Sequence, residues 1–121
     1  MNILIYSKQE DSDERRLMKN IDFTRIHLCR SIADLKNYLN IASGEMRRIV
    51  ILIINNHDEM VNICNLLILY NDLLLIVVIN QNCFKTYDNV HKLRPRYITY
   101  KDSDFFDVAI VLNRMINHYY L

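Results

Sequence analysis

Four polar stretches hold the side chains in this chain that could do chemistry: Ser7-Lys8, Asn55-Asn56-His57-Asp58, Asn80 and Lys101. Each follows a run of apolar or β-branched residues, so each sits where a strand should give way to a loop. Their types set limits. A lysine ammonium donates hydrogen bonds, accepts none and repels a cation. An asparagine amide has no nucleophilic oxygen comparable to a carboxylate. Brought together, Ser7, Lys8, Asn55, Asn80 and Lys101 would make a neutral or cationic pocket. Asp58 lies three residues beyond Asn55 and suits the first turn of a helix, where the helix dipole favours an acid.

Other chemistry finds little support. His27, His57, His91 and His118 fall in four different segments, without the spacing of a metal site. Cys29, Cys64 and Cys83 form neither a disulfide framework nor a C-x-x-C pair and read as reduced thiols within or beside apolar stretches. The single glycine, Gly44, excludes G-x-S-x-G, G-x-G-x-x-G and Walker patterns. A net charge of +1, from 15 basic and 14 acidic side chains, supplies no field for a dedicated nucleic-acid binder. The longest apolar run, Leu73 to Ile79, is far short of the roughly 20 residues of a membrane helix. The opening residues lack the basic start of a signal peptide, which points to a cytoplasmic protein.

The elements that must position those side chains follow from periodicity. The 121 residues fit one domain, with no repeat or linker to divide them. Asn2–Tyr6, Ile49–Ile54 and Leu73–Ile79 are apolar on both faces, the pattern of parallel strands covered on two sides. Thr24–Cys29 alternates, with Ile26 and Leu28 between Arg25 and His27, as a strand nearer an edge does. Tyr97–Tyr100 is the fifth strand. Helical spacing fills the intervals. The first helix follows Ser7/Glu10 or Asp11/Glu14 capping spacing and ends near Asn20. The second starts at Ser31 and stops at Gly44, and the third runs to about Tyr70. A weaker one covers Gln81–Leu93 before Pro95, and the last covers Phe105 to about Tyr119, capped by Asp102, Ser103 and Asp104.

Strands alternating with helices argue for a parallel sheet with right-handed crossovers. Five βα units predict a flavodoxin-like α/β three-layer sandwich, with a five-stranded sheet in the order 2-1-3-4-5. Ligands of such a fold bind outside the carboxyl ends of the strands, which is where Ser7-Lys8, Asn55-Asn56 and Asn80 would meet.

By element order and spacing, almost the whole chain resembles the receiver domains of two-component response regulators. The second βα unit, Ile26-His27-Leu28-Cys29-Arg30-Ser31 through Leu39, is similar as well. The motif residues depart from the family. Receivers end strand one with an acidic pair, where this chain has Ser7-Lys8. They end strand three with the phospho-accepting aspartate, where it has Asn55. They end strand four with Thr or Ser, where it has Asn80. They end strand five with lysine, a place that Lys101 or, one residue earlier, Tyr100 would take.

The resemblance implies a receiver-like signalling domain that has lost aspartyl phosphorylation and Mg²⁺ binding, with no cofactor and no enzymatic activity. Lys8 against Asn55 or Asn80 would replace the metal's charge and lock one conformation. A phospho-accepting receiver using Asp58 is the alternative, and a small flavodoxin-like enzyme or cofactor carrier a third. The acidic, glycine-free loop from Ser7 to Glu14 would repel the phosphate of FMN. Receivers bind partners through their last βα units, where this chain clusters Tyr97, Tyr100, Phe105, Phe106, Tyr119 and Tyr120. Tyrosine is enriched at interfaces. The expected partner is a protein: a histidine kinase, an output domain or a second copy.

Overall fold

A computed structural model describes residues 3–21, 26–41, 48–70, 72–79, 90–101 and 103–119. The elements are β1 (Ile3–Ser7), α1 (Ser12–Asn20), β2 (Ile26–Cys29), α2 (Ile32–Ile41), β3 (Arg48–Ile53), α3 (His57–Leu67), β4 (Leu73–Ile79), β5 (Tyr97–Tyr100) and α4 (Phe106–Tyr119). Residues 90–92 are also helical.

The five strands form one parallel sheet in the order β2-β1-β3-β4-β5, as the sequence predicts. Leu73–Ile79 lies between β3 and β5, with Ile76 opposite Ile51 on one side and Tyr97 on the other. The alternating strand β2 is at one edge and β5 at the other. The strand pleat sends successive side chains to opposite faces, and here both faces are apolar. Val50, Leu52, Leu75 and Val77 pack with Leu35 and Leu39 of α2 and Met60 and Ile63 of α3. Ile49, Ile51, Leu74 and Ile76 pack with Leu17 of α1 and Val108 and Leu112 of α4. The result is a flavodoxin-like sandwich of helices, sheet and helices.

Magnitudes say which interactions hold it. Full burial of one Val, Leu or Ile contributes about 1.5–3 kcal/mol, and the central strands bury more than a dozen. The half-exposed ion pair between Arg48 and Asp72, at 3.0 Å, is worth about 1 kcal/mol or less. It helps to set where β3 begins, because Arg48 also donates its backbone N–H to the Asp72 carbonyl.

Helix starts follow side-chain caps. Asp11 accepts from the Glu14 N–H at 2.9 Å, so the Asp11/Glu14 spacing starts α1. The Ser7/Glu10 spacing does not, because the Ser7 hydroxyl donates to the Gln9 carbonyl instead. Ser31 accepts from the Asp34 N–H, and Asn56 accepts from the Glu59 N–H. The last helix starts at Phe106, one residue later than predicted. Phe105 precedes it with φ of 63° and a wholly buried ring. A left-handed backbone is a strained choice for so bulky a side chain. Hydrogen bonds from the Phe105 and Phe106 N–H groups to Ser103 and Asp104 hold the turn in place. Gly44, Cys83, most of the predicted Gln81–Leu93 helix and Asp102 lie outside the described residues.

Candidate functional site

The parallel order brings the carboxyl ends of β1, β3 and β5 to one end of the sheet, with Ser7, Asn55 and Lys101 at them. Lys101 follows the last residue of β5, and its backbone N–H donates to the Ile79 carbonyl at 2.9 Å. That bond fixes the register: Lys101, not Tyr100, turns into the pocket. Its side chain is 12% exposed. Its ammonium donates to the Asn55 side-chain oxygen and lies 3.7 Å from an Asp13 carboxylate oxygen.

Asp13 has a second cation, because the Arg16 guanidinium pairs with its other oxygen. Arg16 in turn lies over the Phe105 ring, 5.5 Å from its centroid. A chain of hydrogen bonds, ion pairs and one cation–π contact thus runs from Asn55 through Lys101, Asp13 and Arg16 to the strained turn before α4. A second link closes the neighbouring corner. Buried Glu14 pairs with Arg30 at 2.7 Å, and Arg30 also donates to the Ser7 carbonyl. The Ser7 side chain is buried.

Glu59 is the exception to this pairing. It is 6% exposed, and no side chain hydrogen-bonds to either of its carboxylate oxygens among the described residues. Desolvation pushes its pKa up, and this outweighs the opposite pull of Lys8, the Asn55 N–H and Lys101. The same carboxylate adds to the desolvation that raises the nearby Tyr6 phenol to about 12.

Three expectations need correction. The pocket is not merely neutral or cationic, because Asp13, Glu14 and Glu59 bring carboxylates to it. They were missed because they come from helices, not from strand ends. The Cα–Cβ bonds of a helix tilt toward its N-terminus, so the first turns of α1 and α3 direct side chains back over the sheet end. Asp11/Glu14 and Asn56/Glu59 capping spacings carried that signal. Second, Lys8 is exposed, and Lys101 holds the position against Asn55 expected of it. Third, Tyr97 is half-buried and already bonded within the chain. Its hydroxyl and that of Thr99 donate to the Asp107 carboxylate at 2.7 and 2.9 Å, tying β5 to α4.

The other predicted residues fall as follows. Asn80 and Tyr120 lie outside the described residues. Asp58 is exposed in the first turn of α3, where Asn56 is the cap. Phe106 is 64% exposed, as is, at 52%, Ile110 one turn later, a residue not singled out from sequence. Tyr100 is exposed on the opposite side of the β5 edge, since its partner Ile79 packs on the α2–α3 side. Cys29 is buried and Cys64 half-buried, and burial raises both thiols, Cys29 to about 11.

A divalent cation fits this donor set poorly. Asp13 already carries two cationic partners, Asn55 is bonded to an ammonium, and no group of three His, Cys, Asp or Glu side chains suited to a metal exists among the described residues. Comparison of the chain with protein-family models, with curated proteins and with solved structures gives no match. No described helix is long and apolar enough to cross a membrane.

Proposed function

We propose that this chain is a receiver-like, non-enzymatic signalling module that works by binding protein and needs no aspartyl phosphorylation. The observation that carries this reading is the Lys101 ammonium bonded to Asn55 and paired with Asp13. Phosphoryl transfer to a receiver needs a carboxylate nucleophile at the end of the third strand and a metal to offset the incoming charge. Asn55 offers an amide. Lys101 supplies a fixed positive charge that a hard cation would have to displace. With both ends of the pair held, no phosphoryl group or metal switches the charge at Asn55, and a domain built this way presents a constant surface.

That surface is the β5 edge, flanked by Tyr100 on one side and Phe106 and Ile110 on the other. Exposed aromatic and apolar groups of this size favour protein contact. A histidine kinase, an output domain or a second copy of the chain would suit it. The raised thiol pKa values of Cys29 and Cys64 suit a reducing compartment such as the cytoplasm.

The test is the intact mass after incubation with a small acyl phosphate and Mg²⁺. The mass is expected to stay unchanged. A gain of one phosphoryl group, on Asp58 or any other acid, would overturn the reading.

A further inference from the structure

One face of α1 grips both the end of β5 and the turn before α4. Asp13, Arg16 and Asn20 fall at i, i+3 and i+7 on the helix, so they share a side. The Asp13 carboxylate meets the Lys101 ammonium at 3.7 Å, just past the end of β5. The Arg16 guanidinium pairs with Asp13 and lies over the Phe105 ring, 5.5 Å from its centroid. The Asn20 side-chain amide donates to the Asp104 carbonyl at 2.7 Å and to the Arg16 carbonyl at 2.9 Å. Leu17, between them, is buried in the same apolar cluster as the Phe105 ring.

The turn needs such a grip. Phe105 has φ of 63°, a backbone that glycine takes without steric cost and phenylalanine does not. Its local bonds run from the Phe105 N–H to the Ser103 hydroxyl and from the Phe106 N–H to the Asp104 carboxylate, at 3.2 and 3.1 Å. These close within the turn, so they shape it without tying it to the rest of the molecule. The contacts from α1 supply the tie. The Ala109 N–H donates to the Phe105 carbonyl at 3.2 Å, so the first turn of α4 starts from this residue. Exposed Phe106 follows directly, and Ile110 is exposed one helical turn later. The direction of both depends on how the turn sits.

We infer that Asp13, Arg16 and Asn20 are positioning residues of the partner surface: by clamping the 103–105 turn to α1 they fix the direction in which Phe106 and Ile110 meet a partner. The inference rests on the reading of that surface as a protein-binding one. An anchor already held in place gives up less freedom on binding than a mobile one, so the clamp favours affinity without touching the partner.

The test is amide hydrogen exchange of the ¹⁵N-labelled chain, followed by NMR. Arg16→Gln combined with Asn20→Ala should speed exchange at Phe105, Phe106 and Ala109 at least about tenfold. Ile51 and Ile76, in the central strands, should change far less. Asn20→Ala alone removes one bond at an exposed site and should give a smaller change at the same turn amides. Lys19→Gln, at an exposed position on α1, should change none of them. Equal acceleration in the turn and the central strands would show a general loss of stability and overturn the proposal, as would unchanged exchange in the turn. Sedimentation of the same variants tests the partner reading separately. The double variant should self-associate at least about tenfold more weakly than the parent. Self-association of parental strength despite an opened turn would overturn the positioning role. A parent that stays monomeric would remove a second copy as the partner, and the exchange pattern would still decide for or against the clamp.

Discussion

Lys101 and Glu59 are the two residues whose surroundings most constrain what the strand-end pocket can do. Removing one partner of a nearly buried ion pair leaves the other short of compensation. Lys101→Met would remove the ammonium's hydrogen bond to the Asn55 side-chain oxygen and its ion pair with Asp13. A loss of about 1–3 kcal/mol is expected in urea unfolding. Lys8→Met, at an exposed position from which the charge acts on Glu59, should cost less, about 0.5 kcal/mol or below. Equal effects of the two substitutions would show that Lys101 does not hold the pocket together.

Glu59 gives the pH dependence its sign. Its folded pKa is raised above the ordinary 4.5 by burial. The folded state therefore binds the proton more tightly than the unfolded state does. Its favourable contribution is complete below about pH 4.5 and is lost as pH rises through the folded value. Glu59→Gln removes this dependence. The difference in unfolding free energy between the variant and the parent should shift in the variant's favour as pH rises from 4.5 toward neutrality, as read from urea titrations at several pH values. A difference that is flat with pH would contradict the assignment.

At the scale of elements, the strands were legible because a parallel strand buried on both faces is written as a plain apolar run. Leu73–Ile79 and Ile49–Ile54 could hardly be read otherwise. The alternating β2 declared itself an edge in the same way. Legibility ended where structure depends on reach rather than period. Asp13 lies six residues beyond the end of β1, and only the tilt of a helical side chain brings it back to Lys101. The left-handed turn at Phe105 has no local signal, because no glycine marks it. Packing of the ring among Leu17, Val108 and Leu112 outweighs a backbone cost of order 1–2 kcal/mol.

The partner surface also belongs to this scale. Tyr97 bonds to Asp107, so among the described residues the exposed apolar groups of this surface are Tyr100, Phe106 and Ile110. Replacing Phe106 and Ile110 with Ser should leave unfolding within about 0.5–1 kcal/mol of the parent, since both side chains face solvent. Self-association or partner capture measured by sedimentation should weaken at least about tenfold, as expected when exposed aromatic anchors are removed. Unchanged association in the double variant would place the interface elsewhere.

Across the whole molecule, charge is distributed by the two ends of the sheet. At the carboxyl end, carboxylates from α1 meet cations from β2, α1 and β5 and neutralise one another. At the amino end, Arg48 pairs with Asp72 at 3.0 Å and joins the starts of β3 and β4. A chain with a net charge of only +1 thus gathers its described ion pairs at the two ends of the sheet. Element order alone could place the two ends. It could not say which side chains pair, because the pairs join residues up to 88 positions apart, from Asp13 to Lys101.

The strand-end pocket is held shut by its own lysine, bonded to Asn55 and paired with Asp13. The most direct measurement is the ¹⁵N–¹H NMR spectrum of the chain titrated with Mg²⁺ and the phosphoryl mimic beryllofluoride. The amides of Ser7, Asn55 and Lys101 should keep their positions throughout. A saturable shift of those three signals, requiring both Mg²⁺ and beryllofluoride, would show a working phosphoryl-accepting pocket and contradict the account.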